Sequence, residues 1–119
     1  MKGLIRSFYN AFAGIGRTII TQRNMKIHLS FAVFALVVSF LLRLEPLEWV
    51  VICILIALVL LLECLNTAIE AVIDRQSTEP HPLSRNAKDA AAAAVLIAAI
   101  LSVVVGLIIY INAMLRIVG

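Results

Sequence analysis

A chain of 119 residues is the length of one domain, and 63% of its residues are hydrophobic while 14% are charged. A soluble domain of this size cannot bury so large a share of apolar side chains, so the composition excludes an ordinary soluble globule and predicts a membrane protein. The formal net charge is only +3, and we predict no nucleic-acid partner.

The first 21 residues predict an amphipathic helix on the membrane surface. Apolar residues recur at three- and four-residue steps, at Leu4, Ile5, Phe8, Phe12, Ile15 and Ile19. The polar residues Lys2, Arg6, Asn10 and Arg17 fall on another face. A helix with this pattern lies in the interface with its apolar face toward lipid. The polar stretch from Thr21 to His28 is predicted to be a hinge, with His28 at the interface or a lipid headgroup.

Three apolar segments follow, over residues 27–44, 47–73 and 87–118. About 20 residues are needed to cross the hydrocarbon core, so each segment is predicted to be a transmembrane helix. Pro46 predicts a helix break between the first two spans. Pro80 and Pro82 predict a non-helical second loop, and Ser84 is predicted to cap the last helix.

Basic residues divide unequally between the two sides of these spans. Lys2, Arg6, Arg17, Arg23 and Lys26 precede the first span, and Arg75, Arg85 and Lys88 lie in the second loop. Only Arg43 and Arg116 lie on the other side. Because cytoplasmic loops carry the excess of lysine and arginine, the N-terminus and the second loop are predicted to be cytoplasmic.

The end of the second span carries carboxylates on one face. Glu63, Asn66, Glu70 and Asp74 are spaced three, four and four residues apart, which keeps them, with Thr67, in one narrow stripe of a helix. Ionisable side chains at membrane depth are costly, and they usually face a bundle interior or water at a functional site.

These residues suit the binding of a magnesium nucleotide. Carboxylates can hold a hard divalent cation, and a lysine such as Lys88 supplies a point charge for phosphate. A carboxylate nearer the bilayer centre can accept the proton of a lipid hydroxyl. From the residues alone, three explanations stay open: a phosphate-handling membrane enzyme, a small ion-coupled transporter, and structural pairing of helices through polar side chains. A transporter would normally need a fourth span and a carboxylate near mid-bilayer.

Three motifs carry a specific resemblance. ECLNTAIEAVID at residues 63–74, AKDAAAAAVLIAA at 87–99 and RNMKIH at 23–28 resemble the small prokaryotic membrane diacylglycerol kinase and undecaprenol kinase family, and the similarity extends from Ala11 to about Ile109. The resemblance implies an all-α homotrimer whose subunits each have three transmembrane helices and an N-terminal surface helix. It also implies transfer of the γ-phosphate of ATP, with Mg²⁺, to a lipid alcohol at the cytoplasmic face of the bacterial inner membrane.

The resemblance also implies a role for each matching residue. Glu63 corresponds to the proposed general base, Asn66 to the residue that supports it, and Glu70 to a metal ligand. The nucleotide-binding positions correspond to Glu70, Asp74, Ser77, Thr78, Glu79, Lys88 and Asp89, with Arg17 or Arg6 in place of an N-terminal arginine. Gln22 occupies the position of a second metal-binding glutamate, and its neutral amide is a weaker ligand for a hard cation.

The remaining prediction concerns the lipid that accepts the phosphate. The RN-x-x-x-H pattern ending at His28 is more similar to the undecaprenol kinases than to the diacylglycerol kinases, so undecaprenol is predicted and diacylglycerol is the alternative. Without the resemblance, simpler roles exist for the same residues. Glu63 and Asn66 could be interhelical hydrogen-bond partners, Asp74 a loop cap, and Lys88 an interface anchor.

Overall fold

The computed structural model describes residues 1–119 and consists of four α-helices. These are α1 (Lys2–Thr21), α2 (Arg23–Leu41), α3 (Pro46–Gln76) and α4 (Pro82–Val118). By length and composition, α2, α3 and α4 are each able to cross a membrane. The prediction of an all-α protein with three helices long and apolar enough to span a membrane is therefore confirmed. At 1.5 Å per residue the 31 residues of α3 extend about 46 Å, which exceeds the thickness of the hydrocarbon core of a bilayer.

The predicted hinge is shorter in the structure than in the sequence analysis. Only Gln22, with extended φ and ψ angles of −105° and 117°, separates α1 from α2, and residues 23–28 are helical. The prediction of an eight-residue hinge is wrong because polar residues tolerate a helix as well as a loop when neither glycine nor proline interrupts them.

The second loop is also shorter than predicted. α4 begins at Pro82, and the Nδ1 atom of His81 accepts the backbone N–H of Leu83 at 3.1 Å. The N-cap is therefore His81, and the prediction that Ser84 caps this helix is wrong. Proline suits the first position of a helix because its missing N–H has no intrahelical partner there and its φ angle is already helical. Pro46 begins α3 in the same way.

The connection between α2 and α3 is a tight C-terminal turn. Arg43 has a φ angle of 55°, in the left-handed region. The N–H of Arg43 donates to the carbonyl of Phe40 at 3.2 Å, and the N–H of Leu44 donates to that of Ser39 at 3.3 Å. This pair of hydrogen bonds is a Schellman motif in which arginine takes the usual place of glycine. Leu44, just beyond the turn, is buried in a cluster with Ile52 of α3 and Ala113 of α4.

The helices form a thin assembly in which α3 is central. α3 packs mainly on α4, and it also contacts α2 and α1. The molecule measures 59 × 42 × 20 Å, and only 12 of its 119 residues are buried. The buried residues of α4 are Val95, Ala98, Gly106 and Ala113, which are mostly small and allow close approach of a neighbouring helix. Most other apolar side chains are exposed and are available to lipid or to another chain.

Polar contacts tie the helices together at the end remote from the second loop. The hydroxyl of Tyr110 on α4 donates to the carbonyl of Ala35 on α2 at 2.7 Å and lies 3.0 Å from the hydroxyl of the fully buried Ser39. The guanidinium of Arg116, in the last turn of α4, donates to both carboxylate oxygens of Glu48, in the first turn of α3, at 2.6 and 3.0 Å. Each charge also lies at the helix end whose dipole favours it.

Candidate active site

The acidic stripe of α3 continues the face by which this helix packs. The buried residues of α3 are Ile52, Leu55, Val59, Glu63 and Asn66, spaced three or four residues apart. Such spacing keeps them on one side of the helix. The packing face is therefore apolar along most of its length and becomes polar at Glu63. The carboxylate that was predicted to be catalytic points into the protein and not into lipid.

Glu63 has one basic neighbour. Its side chain is 2% exposed, and its Oε2 atom lies 3.5 Å from Nε2 of His28 on α2. A carboxyl group in apolar surroundings is costly without a polar partner, and His28 is the basic side chain that the structure places beside it. His28 was predicted to lie at the interface or at a headgroup, and its contact with Glu63 was missed. The two residues are 35 positions apart, and no local pattern pairs them.

Asn66 lies one turn from Glu63 and has an unsatisfied oxygen. Its Nδ2 atom donates to Oε1 of Glu70 at 3.3 Å, whereas its buried Oδ1 atom has no hydrogen-bond partner. A buried polar atom without a partner costs about 1–3 kcal/mol. A donor on a bound molecule would satisfy this oxygen, and the Asn66–Glu70 hydrogen bond already orients the amide.

A polar cavity of about 570 Å³ lies where α3 and α4 meet the second loop. It contains five of the predicted nucleotide-binding residues, namely Asp74, Ser77, Thr78, Glu79 and Lys88. The remaining lining residues are Ile73, Pro80, His81, Pro82, Ser84 and Arg85. His81, Ser84 and Arg85 were not predicted to line a site, because a loop or cap position in the sequence does not show which cavity a side chain borders.

An ion pair joins two of the residues that line this cavity. Nζ of Lys88 on α4 lies 2.5 Å from Oδ1 of Asp74 on α3, with the two side chains 37% and 65% exposed. Lys88 and Arg85 bring positive charge to the cavity, and the N-terminus of α4 at Pro82 borders it. Lysine, arginine and the positive end of a helix dipole all favour phosphate groups. The cavity thus combines phosphate-binding charges with acidic and hydroxyl side chains.

Three other predicted residues lie apart from the cavity lining. Asp89 forms an exposed ion pair with Arg85 at 3.8 Å. Arg17 is exposed on α1. Gln22 lies half-buried at the junction of α1 and α2, where its Nε2 atom is 3.5 Å from the hydroxyl of Thr21. The structure contains no cluster of three or more histidine, cysteine or acidic side chains that could hold a metal ion.

An apolar groove of about 440 Å³ runs between α2, α3 and α4. Fourteen of its 17 lining residues are hydrophobic, and His28 is one of the few polar ones. Gly106 lines the groove and is buried, yet a Cβ atom added there would meet no atom within 4 Å. Empty space beside a buried glycine means that the groove is wide enough there for part of another molecule.

Along α3, Glu63 separates the groove from the polar cavity. Leu60 is the last α3 residue that lines the groove, and Ile73 is the first that lines the cavity. At 1.5 Å per residue, Glu63 is about 5 Å along the axis from Leu60 and about 15 Å from Ile73. Asn66 and Glu70 occupy the interval. A hydroxyl group at the end of an apolar molecule in the groove would therefore come close to the buried carboxylate.

The chain is similar in sequence to known lipid kinases. Residues 9–110 match the family model described as prokaryotic diacylglycerol kinase. The undecaprenol kinase of Bacillus subtilis is 42% identical over 110 residues, which are 92% of this chain and 89% of that protein. The diacylglycerol kinase of Synechocystis is 43% identical over 104 residues, 87% of this chain and 59% of that protein. The diacylglycerol kinase of Escherichia coli is 55% identical over 49 residues, 41% of this chain and 40% of that protein.

Proposed function

This chain belongs to the prokaryotic diacylglycerol kinase family and is an ATP-dependent lipid kinase, and we propose that it transfers the γ-phosphate of ATP to undecaprenol. The Bacillus subtilis relative, an undecaprenol kinase, aligns over nearly the whole of both chains, which supports this acceptor. Diacylglycerol is the alternative, because the Synechocystis relative has a similar identity and is a diacylglycerol kinase. Family membership favours a kinase over the ion-coupled transporter that the residues alone left open.

The main support for this proposal is that a buried carboxylate, Glu63, lies between the apolar groove and the cavity whose charges favour phosphate. Glu63 is 2% exposed and follows the groove residue Leu60 by one helical turn. A lipid alcohol has an apolar chain that suits the groove and a hydroxyl that must meet a base. The nucleotide would bind at the cavity around Lys88 and Asp74, with its phosphate chain running along α3 past Glu70.

Phosphoryl transfer then needs positioning, charge neutralisation and one proton acceptor. The lipid hydroxyl gives its proton to the Glu63 carboxylate while its oxygen bonds to the γ-phosphorus, and the bond from that phosphorus to the oxygen of ADP breaks. The free Oδ1 of Asn66 would accept a hydrogen bond from a donor on the bound substrates. The ammonium group of Lys88 would neutralise phosphate charge, assisted by the hydroxyls of Ser77 and Thr78 and by the N-terminus of α4.

The carboxylate of Glu70 suits Mg²⁺, although no cluster of three or more such side chains surrounds it. A protein usually holds this ion through one or two carboxylates, and phosphate oxygens and water supply the other ligands. Glu70 would supply the carboxylate, already oriented by Asn66, and Gln22 would offer an amide oxygen as a weaker second ligand. Asp74 and Glu79 lie nearer the nucleotide cavity. When bound, the ion neutralises charge on the transferred phosphate.

The membrane placement follows from exposed surfaces and charge. α1 has no buried residue, and its apolar side chains Leu4, Phe8 and Phe12 are exposed, which supports its predicted position on the membrane surface. With the positive-inside arrangement, we place the site at the cytoplasmic face of the bacterial inner membrane. We also propose the homotrimer that the resemblance implies. The wide exposed apolar faces of α2 and α4 leave surface for such contacts.

A direct assay tests the function and the acceptor together. Purified full-length protein in lipid bicelles is given Mg-ATP with either undecaprenol or diacylglycerol, and phosphorylated lipid is measured. We expect faster transfer to undecaprenol at saturating ATP. Faster transfer to diacylglycerol would overturn the choice of acceptor. Failure to phosphorylate either lipid, even with Gln22→Glu to strengthen metal binding, would overturn the proposed phosphotransfer by this chain.

Filling the groove at Gly106 tests where the acceptor binds. Because a side chain at Gly106 would enter empty space, Gly106→Phe is expected to fold and to occupy part of the groove. We expect KM for the lipid to rise about tenfold or more, since loss of a few apolar contacts is worth about 1–3 kcal/mol, while KM for ATP is unchanged. Val104→Phe, on an exposed face of the same helix, is the control. Equal kinetics for the two variants would show that the lipid binds elsewhere.

A further inference from the structure

His28 is the one basic side chain within 4.0 Å of the Glu63 carboxylate, and we infer that it is a positioning residue for this base. The inference rests on the proposed function, in which Glu63 accepts the proton of the lipid hydroxyl. It assigns to α2, otherwise a packing helix, a direct effect on the chemistry carried by α3.

The burial of the two side chains supports this role. Glu63 is 2% exposed and His28 is 19% exposed, so solvent does little to orient or stabilise the carboxylate. The Nε2–Oε2 distance of 3.5 Å is slightly longer than an ordinary hydrogen bond, which requires about 2.7–3.2 Å. Removal of His28 would leave a carboxylate at membrane depth without a partner, which is costly.

Orientation matters because a carboxylate can present either oxygen to a substrate. A general base has to lie within hydrogen-bond reach of the proton that it accepts, and in many enzymes a third group orients the base. An N–H donor on Oε2 fixes the plane of the Glu63 carboxylate and leaves Oε1 for the lipid hydroxyl. His28 also lines the apolar groove, so it lies where the polar head of the acceptor arrives.

The proton balance of the step is simple. The lipid hydroxyl loses its proton to Oε1 of Glu63 as its oxygen bonds to the γ-phosphorus and the bond to ADP breaks. In the proposed step His28 keeps its own proton and only approaches Oε2 with its Nε2–H donor. Its contribution is therefore geometric and electrostatic, and the amide N–H of a glutamine, which also ends in an Nε2 donor, should replace it in part.

Two substitutions of His28 separate this role from simple packing. His28→Leu removes the donor, and His28→Gln keeps one. We expect His28→Leu to lower kcat about 10- to 100-fold, since a well-placed base contributes about 10²–10⁴-fold, with KM for ATP unchanged. His28→Gln should recover at least a third of the wild-type kcat. Ser30→Ala, an exposed position on the same helix, is the control and should match the wild type.

Every variant is compared with an active wild-type protein, so failure of the positioning role is distinct from absence of the lipid kinase activity. Equal losses for His28→Leu and His28→Gln, in protein that elutes and melts as the wild type does, would overturn a positioning role. A double variant gives an independent measure. In a Glu63→Gln background, His28→Leu should lower the residual rate less than twofold, because it acts through Glu63. A further 10- to 100-fold loss of rate in the Glu63→Gln background would show that His28 does not act through Glu63.

Discussion

Glu63→Gln is expected to lower the rate of lipid phosphorylation about 100-fold or more, the range in which removal of a general base usually falls. The amide has nearly the same size as the carboxylate, so packing on the α3 face is retained while the proton acceptor is lost. The measurement is the initial rate of phospholipid formation from Mg-ATP and the preferred acceptor. ATP binding should persist, since the polar cavity begins about 15 Å further along α3.

Glu45, another carboxylate, at the start of α3, provides the control. Glu45 is the exposed N-cap residue of α3, where it forms a capping box with Glu48 and lies 3.7 Å from Arg116. This end of the molecule is remote from the cavity, so Glu45→Gln should keep the wild-type rate. Size-exclusion elution should be identical for both variants. If Glu63→Gln retains more than a tenth of the wild-type turnover, Glu63 is not the base, and the acceptor hydroxyl must lose its proton to another group.

Lys88→Gln is expected to raise KM for ATP about 10- to 100-fold. A hydrogen bond between charged groups contributes about 1.5–3 kcal/mol, and removal of Lys88 also leaves the Asp74 carboxylate facing the incoming phosphates without its partner at 2.5 Å. KM for the lipid acceptor should stay constant because the groove lies on the far side of Glu63 along α3. Steady-state kinetics with each substrate varied in turn provide the measurement.

The Asp74–Lys88 ion pair could also be purely structural, and a second set of variants tests this. If the lysine only held α3 and α4 together, Asp74→Asn would be as damaging as Lys88→Gln, and the double variant would be no worse than either. Phosphate binding predicts a smaller effect for Asp74→Asn, since the freed ammonium still meets the nucleotide. Lys2→Gln, at the exposed start of α1, controls for the loss of one positive charge. An unchanged KM for ATP in Lys88→Gln would exclude this lysine from nucleotide binding.

The parts of the site that lie on a single helix were predictable from the sequence. Glu63, Asn66, Glu70 and Asp74 share a face of α3 because helical periodicity fixes their directions wherever the helix forms. The exclusion of a soluble fold and the three spans were equally local, since they depend only on runs of apolar residues. The residues at which helices begin were harder to predict. Pro82 was interpreted as a residue that prevents a helix, although it begins one, because proline is compatible with both.

What the sequence alone determined was therefore the set of helices, the stripe of acids and the family resemblance that named their roles. Only the tertiary structure decided that Glu63 faces His28, that Lys88 reaches Asp74 and that an apolar groove leads to the buried carboxylate. Each of these contacts joins two different helices, and their choice depends on the rotation and axial offset of one helix against another. Those quantities are set by the summed packing of many side chains, such as Val95 and Ala98 on α4, and no short pattern in the chain encodes them.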